Sequence, residues 1–329
     1  MYRIPLREEE RKKRMNKYIF GVDLGGTTVK MGLFDMNGNV LDKWEIPTVT
    51  ANKGEQILPD IANSIKAKME AEEIALDEVA GIGLGAPGPV DADGVIYKTA
   101  NLGWDTVFSI PEVMREYIDL PVMAGNDANV AALGEMWQGG GKGYKDMVMV
   151  TLGTGVGGGI IANGKMITGA TGAGGEIGHI HVEDNETAEC GCHNIGCLEQ
   201  YASATGIVRL AKKRLEKNDD PSVMRSGDLT AKLVFDSVKF GDKVAIEVAE
   251  QFGQYLGKGL AAIAGVVNPQ AFVVGGGVSK AGEVIFEYVK PYYMQYAFRG
   301  CRDAQFVLAT LGNDAGIYGA AKLVLDSVN

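Results

Sequence analysis

The feature that most constrains the fold is a strand–turn–strand pattern that occurs twice in the chain. In the first copy, apolar runs at 18–23 and 29–34 flank a glycine turn at 25–28. In the second copy, runs at 146–152 and 156–162 flank the turn at 153–155. Short apolar runs bounded by glycine are typical of buried strands. Because an internal repeat indicates repeated structural units, we expect two related α/β domains.

The remaining apolar patterns predict further strands and helices, and they suggest where the domains begin and end. We expect a polar, poorly ordered N-terminal extension over 1–17 and a small α/β domain over 18–123. A large α/β domain follows over 124–314, and a closing helix at about 315–329 is expected to rejoin the small domain. The principal elements predicted from periodicity are strands at 40–46, 79–85, 120–124, 271–274 and 306–308, and helices at 57–69, 126–137, 198–215, 229–240, 244–267 and 316–325.

Composition excludes several classes of function. The net charge of −10 over 329 residues argues against a nucleic-acid or membrane-surface partner. Apolar runs stay shorter than the roughly 18 residues that a membrane span requires. Three of the four cysteines are grouped at metal-ligand spacing and Cys301 stands alone, which favours thiols in a reducing cytoplasm over a disulfide framework. We expect a cytoplasmic homo-oligomer, a dimer or a tetramer.

The two glycine turns have the composition of phosphate-binding loops. The first turn offers unhindered backbone amides, two hydroxyls and a cation, and an aspartate at the end of its strand can hold a water bound to Mg²⁺. These residues are Asp23, Gly25, Gly26, Thr27, Thr28 and Lys30. Gly153, Thr154 and Gly155 form the matching turn of the second copy. Two such hairpins can grip a triphosphate, whereas either one alone could be only a turn.

Asp127 is the candidate general base. It follows a predicted strand directly, next to Asn126, and begins a predicted helix. In phosphoryl transfer an aspartate commonly accepts the proton of the substrate hydroxyl. The alternative is that Asp127 merely caps the helix, which is a common role for aspartate.

A group of soft metal ligands lies between residues 179 and 197. Cys190, Cys192 and Cys197 form a Cys-x-Cys-x4-Cys run that, with one imidazole, suits a closed tetrahedral zinc site. The spacing leaves the fourth ligand open among His179, His181 and His193. Two carboxylates, Glu176 and Glu199, flank the group and could accept hydrogen bonds from sugar hydroxyls, although each could equally be a surface charge.

Taken together, these motifs resemble the ROK family of sugar kinases and related repressors, and within it the bacterial glucokinases. The matching stretches appear in the family's order and cover the chain from about Tyr18 to its end. They are DLGGTTVK at 23–30, GAPGP at 85–89, NLGW at 101–104, ND at 126–127, LGTGVG at 152–157, GEIGH at 175–179, CGCHNIGCLE at 190–199 and GGG at 275–277.

The resemblance implies a two-domain actin-like ATPase (ribonuclease H-like) α/β fold, with the active site in the interdomain cleft. It implies that Asp127 takes the proton of the sugar 6-hydroxyl, and that ATP with Mg²⁺ is bound by the two turns and by Gly276 and Gly277. The implied sugar ligands are Gly85, Asn101, Asn126, Asp127, Glu176, His179 and Glu199. The implied ligands of a structural Zn²⁺ are His179, Cys190, Cys192 and Cys197.

Three functions are consistent with the resemblance. The primary hypothesis is a glycolytic glucokinase that makes glucose 6-phosphate, because NLGW at 101–104 and LEQYASATG at 198–206 look like the glucokinase versions. The second is a family kinase for another hexose, such as N-acetylglucosamine, N-acetylmannosamine, fructose or allose. The third is a sugar-responsive repressor, which we expect to need a DNA-binding domain of about 60 residues before Tyr18.

Overall fold

A computed structural model of the chain describes residues 16–97, 99 and 101–328. Most of the expected extension at 1–17 lies outside these residues. Lys17 lies within them, and its backbone N–H donates to the carbonyl of Glu78 over 2.7 Å.

The described residues form twelve strands and nine α-helices. The strands are β1 Tyr18–Leu24, β2 Thr28–Asp35, β3 Val40–Pro47, β4 Val79–Ala86, β5 Val95–Ile96, β6 Phe108–Ser109, β7 Val122–Asn126, β8 Met147–Leu152, β9 Val156–Ala162, β10 Lys165–Met166, β11 Ala271–Gly275 and β12 Gln305–Leu308. The helices are α1 Ile57–Ala71, α2 Ile110–Arg115, α3 Asp127–Gln138, α4 Glu199–Ala202, α5 Ala204–Lys217, α6 Ala231–Lys239, α7 Lys243–Val267, α8 Val284–Tyr296 and α9 Ala315–Val328. None of these helices is long and apolar enough to cross a membrane.

The chain divides into two compact units. Among the described residues, unit 1 comprises those within 16–138, 166–174 and 313–328, and unit 2 comprises 139–165 and 175–312. Unit 1 therefore extends beyond the expected boundary at residue 123, because β7 pairs with β4 in the same sheet and α3 packs against α9.

Unit 1 is a five-stranded sheet of order β3-β2-β1-β4-β7 with apolar cores on both faces. Successive residues of β1 point to opposite faces, as strand geometry requires. Phe20 therefore joins a core that includes Ile61 of α1, whereas Ile19 joins one that includes Ile317 of α9. The sheet is thus a layer between helices.

Helix α9 approaches the sheet of unit 1 very closely, because glycines line its path. A Cβ added at Gly83 would lie 1.8 Å from the carbonyl oxygen of Ala320, and one at Gly21 would lie 2.2 Å from that of Ile317. Such distances are far inside van der Waals contact. These strand positions therefore require glycine for the helix to dock.

Unit 2 repeats the strand arrangement of unit 1. Its sheet has the order β10-β9-β8-β11-β12, in which β8 and β9 form an antiparallel hairpin and β8, β11 and β12 run parallel. In unit 1, β1 and β2 form the corresponding hairpin, and β1, β4 and β7 run parallel. The repeat in the sequence is thus a repeat in topology. The core of unit 2 joins Val150 and Phe272 of the sheet to Phe252 of α7 and Phe286 of α8.

One predicted helix differs from the structure, and two helices, α2 and α8, were not predicted. The single helix expected over 198–215 is interrupted at Ser203, whose backbone is extended and whose hydroxyl accepts from the N–H of Gly206. Helix α8 contains Pro291, although proline normally ends a helix. Close packing against α7 compensates for the cost of proline inside the helix. The backbone of Tyr288 lies where a side chain at Gly253 would be.

Candidate active site

The parallel strands of unit 1 bring three candidate site positions together at their carboxyl ends. Asp23 of β1 is in register with Gly85 of β4, and the next residue of β4, Ala86, is in register with Asn126 of β7. Gly85 lies beside Asp127, since a Cβ added there would be 3.6 Å from the Cα of Asp127. Residues far apart in the sequence therefore meet at one sheet edge, which is where α/β proteins bind ligands.

Asp23 lies against the first turn of α9. A Cβ added at Gly316 would be 2.4 Å from the Cγ of Asp23, so the carboxylate occupies the place of a side chain there. Burial raises the pKa of Asp23, and the nearby Lys30 opposes that shift. Lys30 donates to the carbonyl of Asn313 over 3.3 Å. A nearby cation would stabilise the ionised form of this partly buried carboxylate.

The turn at 25–28 is held by backbone hydrogen bonds and by Thr48. The N–H of Gly25 donates to the carbonyl of Thr28 over 3.0 Å, and the Thr48 hydroxyl donates to the carbonyl of Gly25 over 2.7 Å. Gly26 and Thr27 remain exposed. Asn101 lies nearby, since its Cβ is 3.8 Å from a Cβ added at Gly26. The turn therefore presents its backbone beside a predicted sugar ligand.

Asn126, and not Asp127, caps helix α3. The Asn126 side-chain oxygen accepts from the N–H of Asn129 over 3.1 Å, which is the usual N-cap contact. The Asn126 amide donates to the carbonyl of Gly88 over 3.0 Å. Asp127 is the first residue of the helix, and its Oδ1 accepts from the N–H of Ala128 over 2.8 Å. Asn126 is thus the residue that caps α3, which weakens the alternative that Asp127 serves only as a helix cap.

In unit 2 the candidate nucleotide residues meet at the ends of β8 and β11. Thr151 of β8 is in register with Gly275 of β11. A Cβ added at Gly276 would lie 2.5 Å from the carbonyl oxygen of Leu152, the residue that precedes the turn at 153–155. Gly277 has no heavy atom within 4 Å of such a Cβ, so space remains open beside it.

His179 and the three cysteines form one compact cluster. Their four ligand atoms lie within 4.8 Å of one another. The sulfurs of Cys192 and Cys197 are 3.6 Å apart, and the sulfur of Cys190 is 3.7 Å from Nδ1 of His179. Zinc–sulfur bonds of 2.3 Å in a tetrahedron would place two sulfurs about 3.8 Å apart. The spacing therefore fits a tetrahedral metal ion.

The chemistry of the thiols also fits a cation at this cluster. Burial, together with the neighbouring thiols, raises the pKa of Cys197 to about 12, and burial raises that of Cys190. Three adjacent thiolates repel one another, so a positive charge is needed before all three can ionise.

The other two histidines face away from the cluster. Nδ1 of His181 contacts the carbonyl of Ile195 at 2.9 Å, and Nε2 contacts Asp184 at 2.8 Å. His193 is exposed, and its Nδ1 lies 3.7 Å from a carboxylate oxygen of Glu189. The geometry thus selects His179 from the three candidates that the spacing left open.

The carboxylates of Glu176 and Glu199 have different environments. Glu176 is half exposed, and its Oε2 lies 3.9 Å from Nε2 of His179, the ring nitrogen that points away from the sulfurs. Glu199 is more enclosed: its Oε2 accepts from the N–H of Val156 over 3.1 Å, and its Oε1 accepts from the thiol of Cys190 over 3.3 Å. Glu199 thereby touches both the metal cluster and the turn at 153–155.

Several residues that support the site carry no signal in the sequence. Thr205 donates its hydroxyl to the carbonyl of Thr154 over 2.7 Å. Below the cysteine segment, the nearly buried carboxylate of Glu186 pairs with Arg209 and accepts from the hydroxyl of Tyr201. Tyr201 and Arg209 lie 15 and 23 residues from Glu186 in the sequence, so no local motif connects them.

Comparison with known proteins places these features in one family. A sequence model of the ROK family matches residues 19–327. A glucokinase of Halalkalibacterium halodurans is 43% identical over 320 residues, which are 95% of this chain and 97% of that protein. An N-acetylmannosamine kinase of Escherichia fergusonii is 32% identical over 305 residues, or 92% of this chain and 96% of that protein.

A solved structure gives the same result. A ROK family glucokinase from Streptomyces griseus, in complex with glucose and AMPPNP, has a TM-score of 0.71 and 34% identity, covering 93% of this chain and 98% of that one. The predicted fold class is confirmed, since such ROK sugar kinases have the actin-like ATPase fold. With a match along nearly its whole length in both sequence and fold, this chain belongs to the ROK family.

Proposed function

We propose that the protein is a glucokinase that transfers the γ-phosphoryl group of ATP to the 6-hydroxyl of glucose. The observation that carries the proposal is the position of Asp127, at the end of β7 beside Gly85 and relieved of capping by Asn126, in a chain so similar to glucokinases. A carboxylate in that position can serve as a general base.

In the proposed reaction, a carboxylate oxygen of Asp127 accepts the proton of the sugar 6-hydroxyl. The sugar oxygen forms a bond to the γ-phosphorus as the bond from that phosphorus to the β,γ-bridging oxygen breaks, and ADP leaves. Positioning and charge stabilisation supply most of the catalysis in such reactions.

The sugar is held by groups that accept and donate hydrogen bonds in pairs. Asn101, Asn126 and the backbone at Gly85 are the proposed contacts from unit 1. Glu176, His179 and Glu199 are those from unit 2, where Nε2 of His179 points away from the cysteine sulfurs. Because Nδ1 faces the sulfurs, the same ring can serve the metal and the sugar.

The donor nucleotide is held by the two glycine turns. Backbone N–H groups at 25–28 and 153–155 and the ammonium of Lys30 are the proposed phosphate contacts. Asp23 is the proposed anchor for a water on the Mg²⁺ that accompanies ATP, a cation that neutralises charge on the phosphates. Gly276 and Gly277 are the proposed contacts of the adenosine.

The metal at the cluster is proposed to be a structural Zn²⁺. His179, Cys190, Cys192 and Cys197 would supply all four ligands, which leaves no coordination position for substrate. Its proposed role is to fix the segment that carries Glu176 and Glu199. Such a set of reduced thiols suits a cytoplasmic enzyme. Assembly into a dimer or a tetramer stays a prediction.

The deciding experiment is a comparison of hexoses with ATP. The purified enzyme should show its highest kcat/KM with glucose among glucose, N-acetylglucosamine, N-acetylmannosamine, mannose, fructose and allose. Production of glucose 6-phosphate, measured by a coupled dehydrogenase, identifies the acceptor oxygen. A higher kcat/KM for another hexose would reassign the substrate, and the absence of turnover with every sugar would refute a kinase.

A further inference from the structure

The corner between α4 and α5 holds the turn at 153–155 from one side. The carbonyl of Gly153 accepts from the N–H of Ala204 over 2.8 Å, and the carbonyl of Thr154 accepts from the hydroxyl of Thr205 over 2.7 Å. The corner itself is fixed by Ser203, whose hydroxyl donates to the carbonyl of Glu199 over 2.7 Å.

These contacts orient the turn for an anion. In a trans peptide, the carbonyl of one residue and the N–H of the next point in opposite directions. Because the carbonyls of Gly153 and Thr154 point to α5, the N–H groups of Thr154 and Gly155 point away from it. Two successive N–H groups on one side form a concave site for an oxyanion.

Glu199 also contacts the turn and the residue that follows it. Its Oε2 accepts from the N–H of Val156, and a Cβ added at Gly155 would lie 2.1 Å from the same oxygen. Glycine is therefore required at 155 for the carboxylate to reach the backbone. Gly153, Thr154 and Val156 are thus hydrogen-bonded to a single segment, 199–205.

The same segment starts at the metal cluster. Glu199 lies two residues after Cys197, and the sulfur of Cys190 is 3.3 Å from its Oε1. The backbone N–H of Cys197 donates to the side chain of Gln200 over 3.0 Å. Because a metal ion replaces the thiol proton of Cys190, the connection in the metal-loaded protein runs through the backbone: the N–H of Gln200 donates to the carbonyl of Cys197 over 3.0 Å. A metal ion that fixes Cys197 therefore also fixes the start of α4, from which Glu199 projects.

We propose that Glu199 is a positioning residue for the nucleotide phosphates, through which the metal cluster supports nucleotide binding even when no sugar is present. The inference deepens the proposed function and rests on it, since the turn is taken as a phosphate site. It adds a second role to a residue expected to contact sugar. Each carboxylate oxygen has two lone pairs, so one can serve Val156 while another serves a hydroxyl.

The test is calorimetric titration of Mg²⁺–AMPPNP into the metal-loaded protein without sugar. Glu199→Ala should raise the Kd about tenfold, or about 1.4 kcal/mol, as expected for losing a hydrogen bond to a charged group. Thr205→Val, a milder change that removes only one hydroxyl, should raise it about fivefold. Glu176→Gln is the matched control, because Glu176 is also an expected sugar ligand but lies beside His179, with 3.9 Å between its Oε2 and Nε2 of that ring.

Metal removal supplies an independent arm. Chelation, followed by metal analysis to verify loss, should raise the nucleotide Kd of the wild-type protein by a factor similar to that of Glu199→Ala. Chelation of the Glu199→Ala variant should raise its nucleotide Kd little further, because the substitution has already removed the link between the metal cluster and the turn.

The outcomes separate this inference from the proposed function. If Glu199→Ala and Thr205→Val bind nucleotide as the wild type does while wild-type turnover is normal, the positioning role is refuted and the kinase stands. If Glu176→Gln weakens nucleotide binding as much as Glu199→Ala, the effect is not specific to the turn and the inference fails. A wild-type protein that binds no nucleotide refutes both. The result does not depend on which hexose is the substrate, since the titration contains none.

Discussion

Replacing Asp127 with asparagine should separate catalysis from stability. Asn126 provides the cap of α3, and the contact of Asp127 Oδ1 with the N–H of Ala128 is one that an asparagine oxygen can also accept. The loss of a negative charge at a helix N-terminus costs about 0.3–1 kcal/mol. We therefore expect Asp127→Asn to change the free energy of unfolding by no more than about 1 kcal/mol.

The effect on turnover should be much larger. A general base contributes about 10²–10⁴-fold to a rate, which corresponds to roughly 3–5.5 kcal/mol of activation free energy. Because proton acceptance is a feature of the transition state, kcat should fall while the Kd for glucose stays close to the wild-type value. A large loss of kcat with little change in the free energy of unfolding identifies a general base, whereas the reverse identifies a helix cap.

The assay combines coupled kinetics, glucose calorimetry and urea denaturation on the same preparations. Asn126→Ala is the structural comparison: it removes the cap and the contact with Gly88, and should lower the free energy of unfolding by about 2 kcal/mol. If Asp127→Asn keeps a kcat within about threefold of wild type, far less than loss of a general base allows, Asp127 is not the base. Destabilisation equal to that of Asn126→Ala would contradict the assigned division of roles.

The remaining predictions concern the metal cluster, the partly buried carboxylate of Asp23 and glycine packing. Cys192→Ser should lose bound zinc and weaken glucose binding, whereas Cys301→Ser, whose thiol lies outside the cluster, should keep both; metal analysis and calorimetry decide. Asp23→Asn should reduce kcat. It should also increase the free energy of unfolding at pH 7, because burial raises the pKa of this carboxyl in the folded protein. That gain in stability should shrink as the pH falls toward about 4, where the carboxyl of the unfolded chain also protonates. In urea denaturation Gly83→Ala should destabilise by about 1–3 kcal/mol or more through overpacking, and the uncrowded helical change Gly265→Ala should stabilise by about 0.5–1 kcal/mol.

Much of the fold could be predicted because strand period and glycine turns are local signals. The runs that flank the 25–28 and 153–155 turns are strands within one or two residues of the expected bounds. The repeat also predicted a shared topology, which the two sheets have. The unpredicted α8 shows the limit: Pro291 argues against a helix locally, and packing on α7 outweighs it.

The cysteine cluster could be predicted for its composition but not for its geometry. Spacing identified three sulfur ligands and left three histidines as candidates for the fourth. The choice depends on where each ring points, and that is set by distant contacts such as the one between His181 and Ile195. The family resemblance implied His179, and the folded chain gives the physical reason: the His179 ring faces the sulfurs, whereas that of His181 faces Asp184.

The environment of Glu199 was beyond the sequence for a related reason. In the sequence, Glu199 is a carboxylate two positions after a cysteine. That position is consistent with a sugar ligand and also with a surface charge. Its contact with the backbone at Val156 joins segments more than 40 residues apart, and it exists because Gly155 has no side chain. In the sequence, a glycine that leaves room for the Glu199 carboxylate cannot be told from one that lets a phosphate approach the backbone. Because a Cβ at Gly155 would lie 2.1 Å from the Glu199 carboxylate, glycine at this position meets two requirements at once: close approach of a phosphate and room for Glu199. Gly155→Ala is therefore expected to disturb both.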